Sequence, residues 1–91
     1  MKQTNKTTSQ SKAKDFNKAL IKAVKHINDS DFYINASIRE VMLTNYESNV
    51  GFNTITFLFT LMNEIDGSTS HTKVIVDMFS DGVIDVVSYD L

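Results

Sequence analysis

The sequence predicts an α+β fold: one N-terminal amphipathic helix packed on a four-stranded antiparallel β-meander of strand order 1-2-3-4, with a β-bulge near Arg39-Glu40. Three observations carry this. Apolar residues between Ala13 and Asn28 recur with helical period, and from Phe32 onward they alternate with strand period. Asp-Gly then occurs twice, at 66–67 and 81–82, between alternating segments. That dipeptide is a strong hairpin signal, because the turn needs a positive φ that Gly adopts without steric cost.

At 91 residues the chain makes one small domain. Residues 1–11 form a basic, Ser/Thr/Asn-rich stretch without period, expected to be disordered, and residues 12–91 form a single α-β-β-β-β unit. Ser11 is the expected N-cap. Phe16, Ala19, Leu20, Ala23, Val24 and Ile27 then share one helical face, opposite a stripe of Lys14, Lys18, Lys22 and Lys25. Asn28-Asp29-Ser30-Asp31 ends the helix.

Strand one is expected from Phe32 to Thr44. Its apolar residues sit on even positions (Phe32, Ile34, Ala36, Ile38) and then on odd ones (Val41, Leu43). A change of phase in a period-two pattern means one extra residue, hence the bulge. Strand two runs from Phe52 to Met62 with Ile55, Phe57, Phe59 and Leu61 inward. A loop at 47–51 pairs Leu43 with Ile55, Val41 with Phe57, Ile38 with Phe59 and Ala36 with Leu61. A two-residue turn at Asp66-Gly67 pairs Leu61 with Thr72, Phe59 with Val74, Phe57 with Val76 and Ile55 with Met78. Strand three spans Thr72–Phe79. For the last hairpin a three-residue turn, Ser80-Asp81-Gly82, sets Met78 against Ile84 and Val76 against Val86. A two-residue turn would push Asp85 into the core, where an unpaired carboxylate costs several kcal/mol. One helix ahead of a curved meander is similar in topology to cystatin-like and NTF2-like folds, with no motif of either family in the chain.

Composition narrows the functional classes. The chain has no cysteine, which excludes disulfides, thiolate metal sites and a thiol nucleophile. No apolar run reaches membrane-spanning length and no signal sequence opens the chain, so a soluble, cytoplasmic protein is expected. The many Lys, Asn and Ile residues, with no Pro or Trp, resemble coding from an AT-rich bacterial, phage or mobile-element genome. There is no HExxH, P-loop, G-x-S-x-G or G-x-G-x-x-G. Of the two histidines, His26 lies on the helix flank. His71 is six residues from Asp77 along one strand, roughly 20 Å at about 3.3 Å per residue, too far for a triad. A non-enzymatic protein without metal or cofactor is the expectation.

The face of the sheet turned away from the helix is the candidate surface. Its rows are expected to read Leu58–Ile75–Val87, Thr54–Phe79–Val83, Thr60–Lys73–Tyr89, Met62–His71–Leu91 and Thr56–Asp77–Asp85. A solvated face should alternate to polar more cleanly than this. Leu58, Ile75, Asp77, Phe79, Val83, Asp85, Val87 and Tyr89 are therefore the expected partner-binding residues. Asp77 and Asp85, paired across strands, would form a cation site, an acid/base pair or a dock for a partner's Lys or Arg, or stand as hydrated carboxylates, the last being the leading expectation because a sheet surface is not a cleft. The leading expectation is a protein-binding module, with self-association included, of the kind that phages and mobile elements direct against host machinery, such as anti-CRISPR or anti-restriction proteins. Behind it stand a sequence-independent nucleic-acid binder using Lys14, Lys18, Lys22 and Lys25, and a small NTF2-like or cystatin-like ligand-binding domain. Residues 1–29 hold seven Lys against Asp15 and Asp29, whereas residues 30–91 hold Arg39 and Lys73 against nine acidic residues, so the charge is strongly divided.

Overall fold

The computed structural model describes the side chains of residues 14–91, and ahead of them only the course of the first helix. The order is α1 (Lys2–Asp29), a 3₁₀ turn η1 (Asp31–Tyr33), β1 (Ala36–Asn49), β2 (Phe52–Asn63), β3 (Thr69–Phe79) and β4 (Ile84–Asp90). The strands form one antiparallel sheet in the order β1-β2-β3-β4. α1 begins at Lys2, so it runs through the stretch expected as a polar tail, and Ser11 lies within the helix rather than at its cap; the side chains of residues 1–13 lie outside the described residues.

The helical period places α1 on the sheet as anticipated. Ala19, Ala23 and Ile27 are fully buried against Ile55, Phe57, Phe59, Leu61, Val74 and Val76, with Phe16, Leu20 and Val24 half-buried beside them. The Phe16 ring tilts onto Phe57 with centroids 5.8 Å apart. α1 lies chiefly over β3, flanked by β2 and β4.

Strand one begins later than expected. Ser30 caps η1, its Oγ accepting from the Phe32 amide at 3.3 Å, and Phe32 and Ile34 turn outward to solvent. A short polar residue that captures nearby amides competes with strand pairing, and here the local turn wins. The bulge at Arg39-Glu40 is present, since Ile38 pairs with Leu61 and Glu40 with Thr60. A second shift lies between Leu43 and Asn45. It turns Tyr46 inward opposite Ile55 and carries β1 through the expected loop to Asn49, leaving Val50-Gly51 as the turn.

Two registers differ from expectation by two residues. Leu43 pairs with Phe57 and Val41 with Phe59; Phe59 pairs with Thr72, Phe57 with Val74 and Ile55 with Val76. The reason in the second hairpin is Asn63. Its Oδ1 accepts from the Ile65 and Asp66 amides at 2.8 and 3.3 Å, and its carbonyl accepts from Gly67 N at 2.8 Å. The Asp66 carboxylate then accepts from the Ser68 amide at 2.9 Å. These side-chain turns hold Glu64–Gly67 as a four-residue loop where two residues were expected. Gly67 keeps its positive φ, 73°. The third hairpin is as expected: Met78 meets Ile84, Asp77 meets Asp85, and Gly82 has φ 93° at the end of the three-residue turn.

Ala19 and Ala23 expose no surface, so α1 approaches the sheet as closely as a helix with small contact residues can. Ala23→Leu should overpack this contact and cost about 1–3 kcal/mol, read as a lower urea midpoint. Ile21→Ala, on the exposed flank of the same helix, should stay within about 0.5 kcal/mol of the parent.

Candidate functional site

A two-residue register shift preserves side-chain parity, so every predicted outer residue does face away from α1 while the rows regroup. The rows leading across β1–β4 are Asn45–Thr56–Ile75–Val87, Met42–Leu58–Lys73–Tyr89 and Glu47–Thr54–Asp77–Asp85. Phe52 pairs with Phe79, whose amide donates to the Val83 carbonyl, and their rings lie 5.3 Å apart. Leu58 therefore sits in the row of Lys73 and Tyr89 rather than beside Ile75, and Phe79 joins Phe52 rather than Thr54. Leu58, Ile75, Asp77 and Phe79 are half-buried in the middle of the sheet. Val83, Val87 and Tyr89 are 50%, 44% and 54% exposed, and Asp85 is exposed with them. Met42, 48% exposed on β1 and paired with Leu58, extends the same surface; the bulge at Arg39-Glu40 turns it outward, and the expected rows spanned only strands two to four.

Asp77 and Asp85 are direct partners, as expected. Phe79–Val83 is a hydrogen-bonded pair and the alternation makes Asp77–Asp85 another. Such pairs have the wider Cα separation, about 5.5 Å, which eases repulsion. Thr54 Oγ1 donates to Asp77 Oδ1 at 2.7 Å, further committing that carboxylate. On the same face His71 Nδ1 lies 3.3 Å from Thr60 Oγ1. No group of three or more His, Asp or Glu among the described residues is arranged to hold a metal ion.

The alternative surfaces look different. Lys14, Lys18, Lys22 and Lys25 are all exposed along α1, with Lys25 Nζ 2.7 Å from Asp29 Oδ2. The space between helix and sheet is filled by the apolar core, and concavities lie instead at its ends. One, of about 380 Å³, is bordered by Asp15, Lys18, Asn53, Met78, Phe79 and Ile84. Asp15 Oδ2 accepts there from Tyr46 Oη and Asn53 Nδ2, both at 3.3 Å. Burial first and the Asp15 carboxylate second push the Tyr46 phenol above its ordinary value of 10.0.

A polar cluster on the inner face escaped the sequence reading. His26 Nε2 lies 3.1 Å from Ser88 Oγ, and Tyr33 Oη donates to Asp90 Oδ1 at 3.0 Å and lies 3.3 Å from Ser88 Oγ. The buried Thr72 Oγ1 donates to the same Asp90 oxygen at 3.0 Å. A His–Ser contact with a carboxylate nearby invites comparison with a triad. Here, however, the bonds of Asp90 run to Tyr33 and Thr72, whereas a triad needs its carboxylate on the imidazole. The cluster ties α1 and η1 to β4. Its one signal in the sequence is that inward positions 84, 86, 88 and 90 pass from apolar to polar at Ser88.

Comparison with protein-family models, curated proteins and solved structures finds no match to this chain.

The Tyr46 contact has a testable titration. A phenol whose folded value is raised contributes stability that is complete below its unfolded value and fades as pH climbs through the folded one. Asp15→Asn should bring the Tyr46 midpoint, followed by NMR of the ring, only part of the way back toward 10.0, because burial, the largest single cause, remains.

Proposed function

We propose that this protein works without catalysis, by binding a protein partner through the outer face of its sheet. The observation that carries the reading is the mixed character of that face. Val83, Val87, Tyr89 and Met42 are exposed around half-buried Leu58, Ile75 and Phe79, while α1 occupies the opposite side. A solvated antiparallel face ordinarily alternates to polar more fully, and exposed apolar side chains interleaved with charges on one face suit a macromolecular contact. The row Glu47–Thr54–Asp77–Asp85 runs between Phe79 and Ile75–Val87, and Lys73 lies between Leu58 and Tyr89, so charges stand within the apolar surface and would set a partner's orientation. Small size, the absence of any catalytic motif and the AT-rich style of the composition favour an inhibitor of host machinery of the phage or mobile-element kind.

Affinity capture from the native host tests this. A partner held by the parent protein should bind at least about tenfold more weakly, a loss of roughly 1.4 kcal/mol or more, to both Leu58→Lys and Ile75→Lys, with the fold preserved by circular dichroism. Capture indifferent to both changes but lost in Lys18→Glu with Lys22→Glu would move the working surface to the helix and overturn the proposal.

A further inference from the structure

We propose that β4 is the edge on which a second copy of this chain adds antiparallel to itself, making one continuous eight-stranded sheet. The inference stands apart from the outer-face partner, and its test separates the two. Both outer strands of the sheet, β1 and β4, have one unpaired side, but the two edges are unlike. Both carry charged residues, but β1 is interrupted by two register shifts, which blunt an edge against further pairing. β4 pairs with β3 in unbroken register from Met78–Ile84 to Thr72–Asp90.

The direction of its free backbone groups follows from the bonds it makes. Phe79 N donates to Val83 O and Leu91 N to His71 O, so the odd residues of β4 face β3. The amides and carbonyls of Ile84, Val86, Ser88 and Asp90 therefore point away from the sheet. Among the described residues no backbone hydrogen bond joins any of them to another element. A row of regularly spaced donors and acceptors takes an extended strand as its complement.

The side chains select a second copy as that strand. Pairing even residues with even residues about a two-fold axis at Val87 uses the whole of Ile84–Asp90. It sets Ile84 against Asp90, Val86 against Ser88 and Asp85 against Tyr89 of the other copy, so no two carboxylates are opposed. On the outer face the row Thr56–Ile75–Val87 then runs straight into its own image. The row ending Lys73–Tyr89 continues into the other copy's Asp85 and Asp77, so a cation and two carboxylates share one line across the joint.

Sedimentation equilibrium over a concentration series should give a reversible dimer of twice 10.3 kDa. Val86→Pro removes an outward N–H that β3 does not use and adds a ring on the free side, so it should give a monomer. Leu58→Lys, on the outer face but away from the edge, should remain dimeric. A parent protein that stays monomeric through the series overturns the inference. So does a dimer that survives Val86→Pro and is lost in Leu58→Lys, a result that would place self-association on the outer face instead. Amide exchange of the unmodified protein provides a second measurement that needs no variant to fold. The Val86 and Ser88 amides should become more protected as concentration rises, and exchange at the speed of open amides at every concentration would refute edge pairing.

Discussion

The contact between the small residues of α1 and the centre of the sheet governs the rest of the molecule. Ala19 and Ala23 let the helix backbone descend onto Val74, Val76, Phe57 and Ile55, and Ile27 and Phe16 close the two ends of the contact. A four-stranded sheet is wider than one helix, since strands lie about 4.8 Å apart and a helix with its side chains is about 10–12 Å across. The close approach over β3 therefore buries β2 and β3 well and leaves the margins less covered. Leu43, inward by register, is still 44% exposed on β1. At the other margin the polar set of His26, Ser88, Tyr33 and Asp90 replaces apolar packing and fastens helix and 3₁₀ turn to β4. Both half-buried hydroxyls of that set, on Tyr33 and Ser88, have partners, the condition for polar groups to sit at the rim of a core.

The second face of the sheet is packed by the strands alone, away from α1. Val74, Val76 and Met78 on β3 fill or border the core, whereas Ile75 and Phe79 on the same strand turn away from it and gain nothing from α1. Their half-burial comes from in-sheet neighbours: Thr56 and Val87 beside Ile75, and Phe52 beside Phe79. Thr56 itself is only 8% exposed on this open side, a measure of how densely the central outer row is packed.

The sequence was legible where a rule depends on parity and illegible where it depends on absolute register. Period-two alternation assigns a face, and a slip of two residues leaves that assignment intact. Leu58, Ile75, Asp77, Val87 and Tyr89 thus lie on the anticipated side although two hairpins are paired differently. Turn chemistry decided the errors. The Asp66-Gly67 dipeptide was read as the whole turn, while the Asn63 side chain, three residues earlier, organises a longer loop. In β1 the first phase change was visible in the step from Ile38 to Val41. The second needed Tyr46 to be recognised as a continuation of the strand rather than as loop. The last hairpin was recovered because a carboxylate at Asp85 makes the wrong register costly; no such penalty marks the other two. The His26–Ser88–Asp90 cluster joins residues more than sixty positions apart, and only the crossing of α1 over β4 brings them together.

The contrast between the interrupted strand β1 and the regular strand β4 bears on how large any assembly of this protein can become. A sheet with two receptive sides would stack copies without end, the route by which edge-to-edge contact leads to fibres. Here only one outer strand, β4, keeps an unbroken register. Were two molecules to join through β4 about a two-fold axis, as proposed, the sides left outermost would both be kinked β1 strands, and growth would stop at two. The extra residues in β1, which look locally like defects in pairing, would then act as terminators that make a finite particle out of an open sheet.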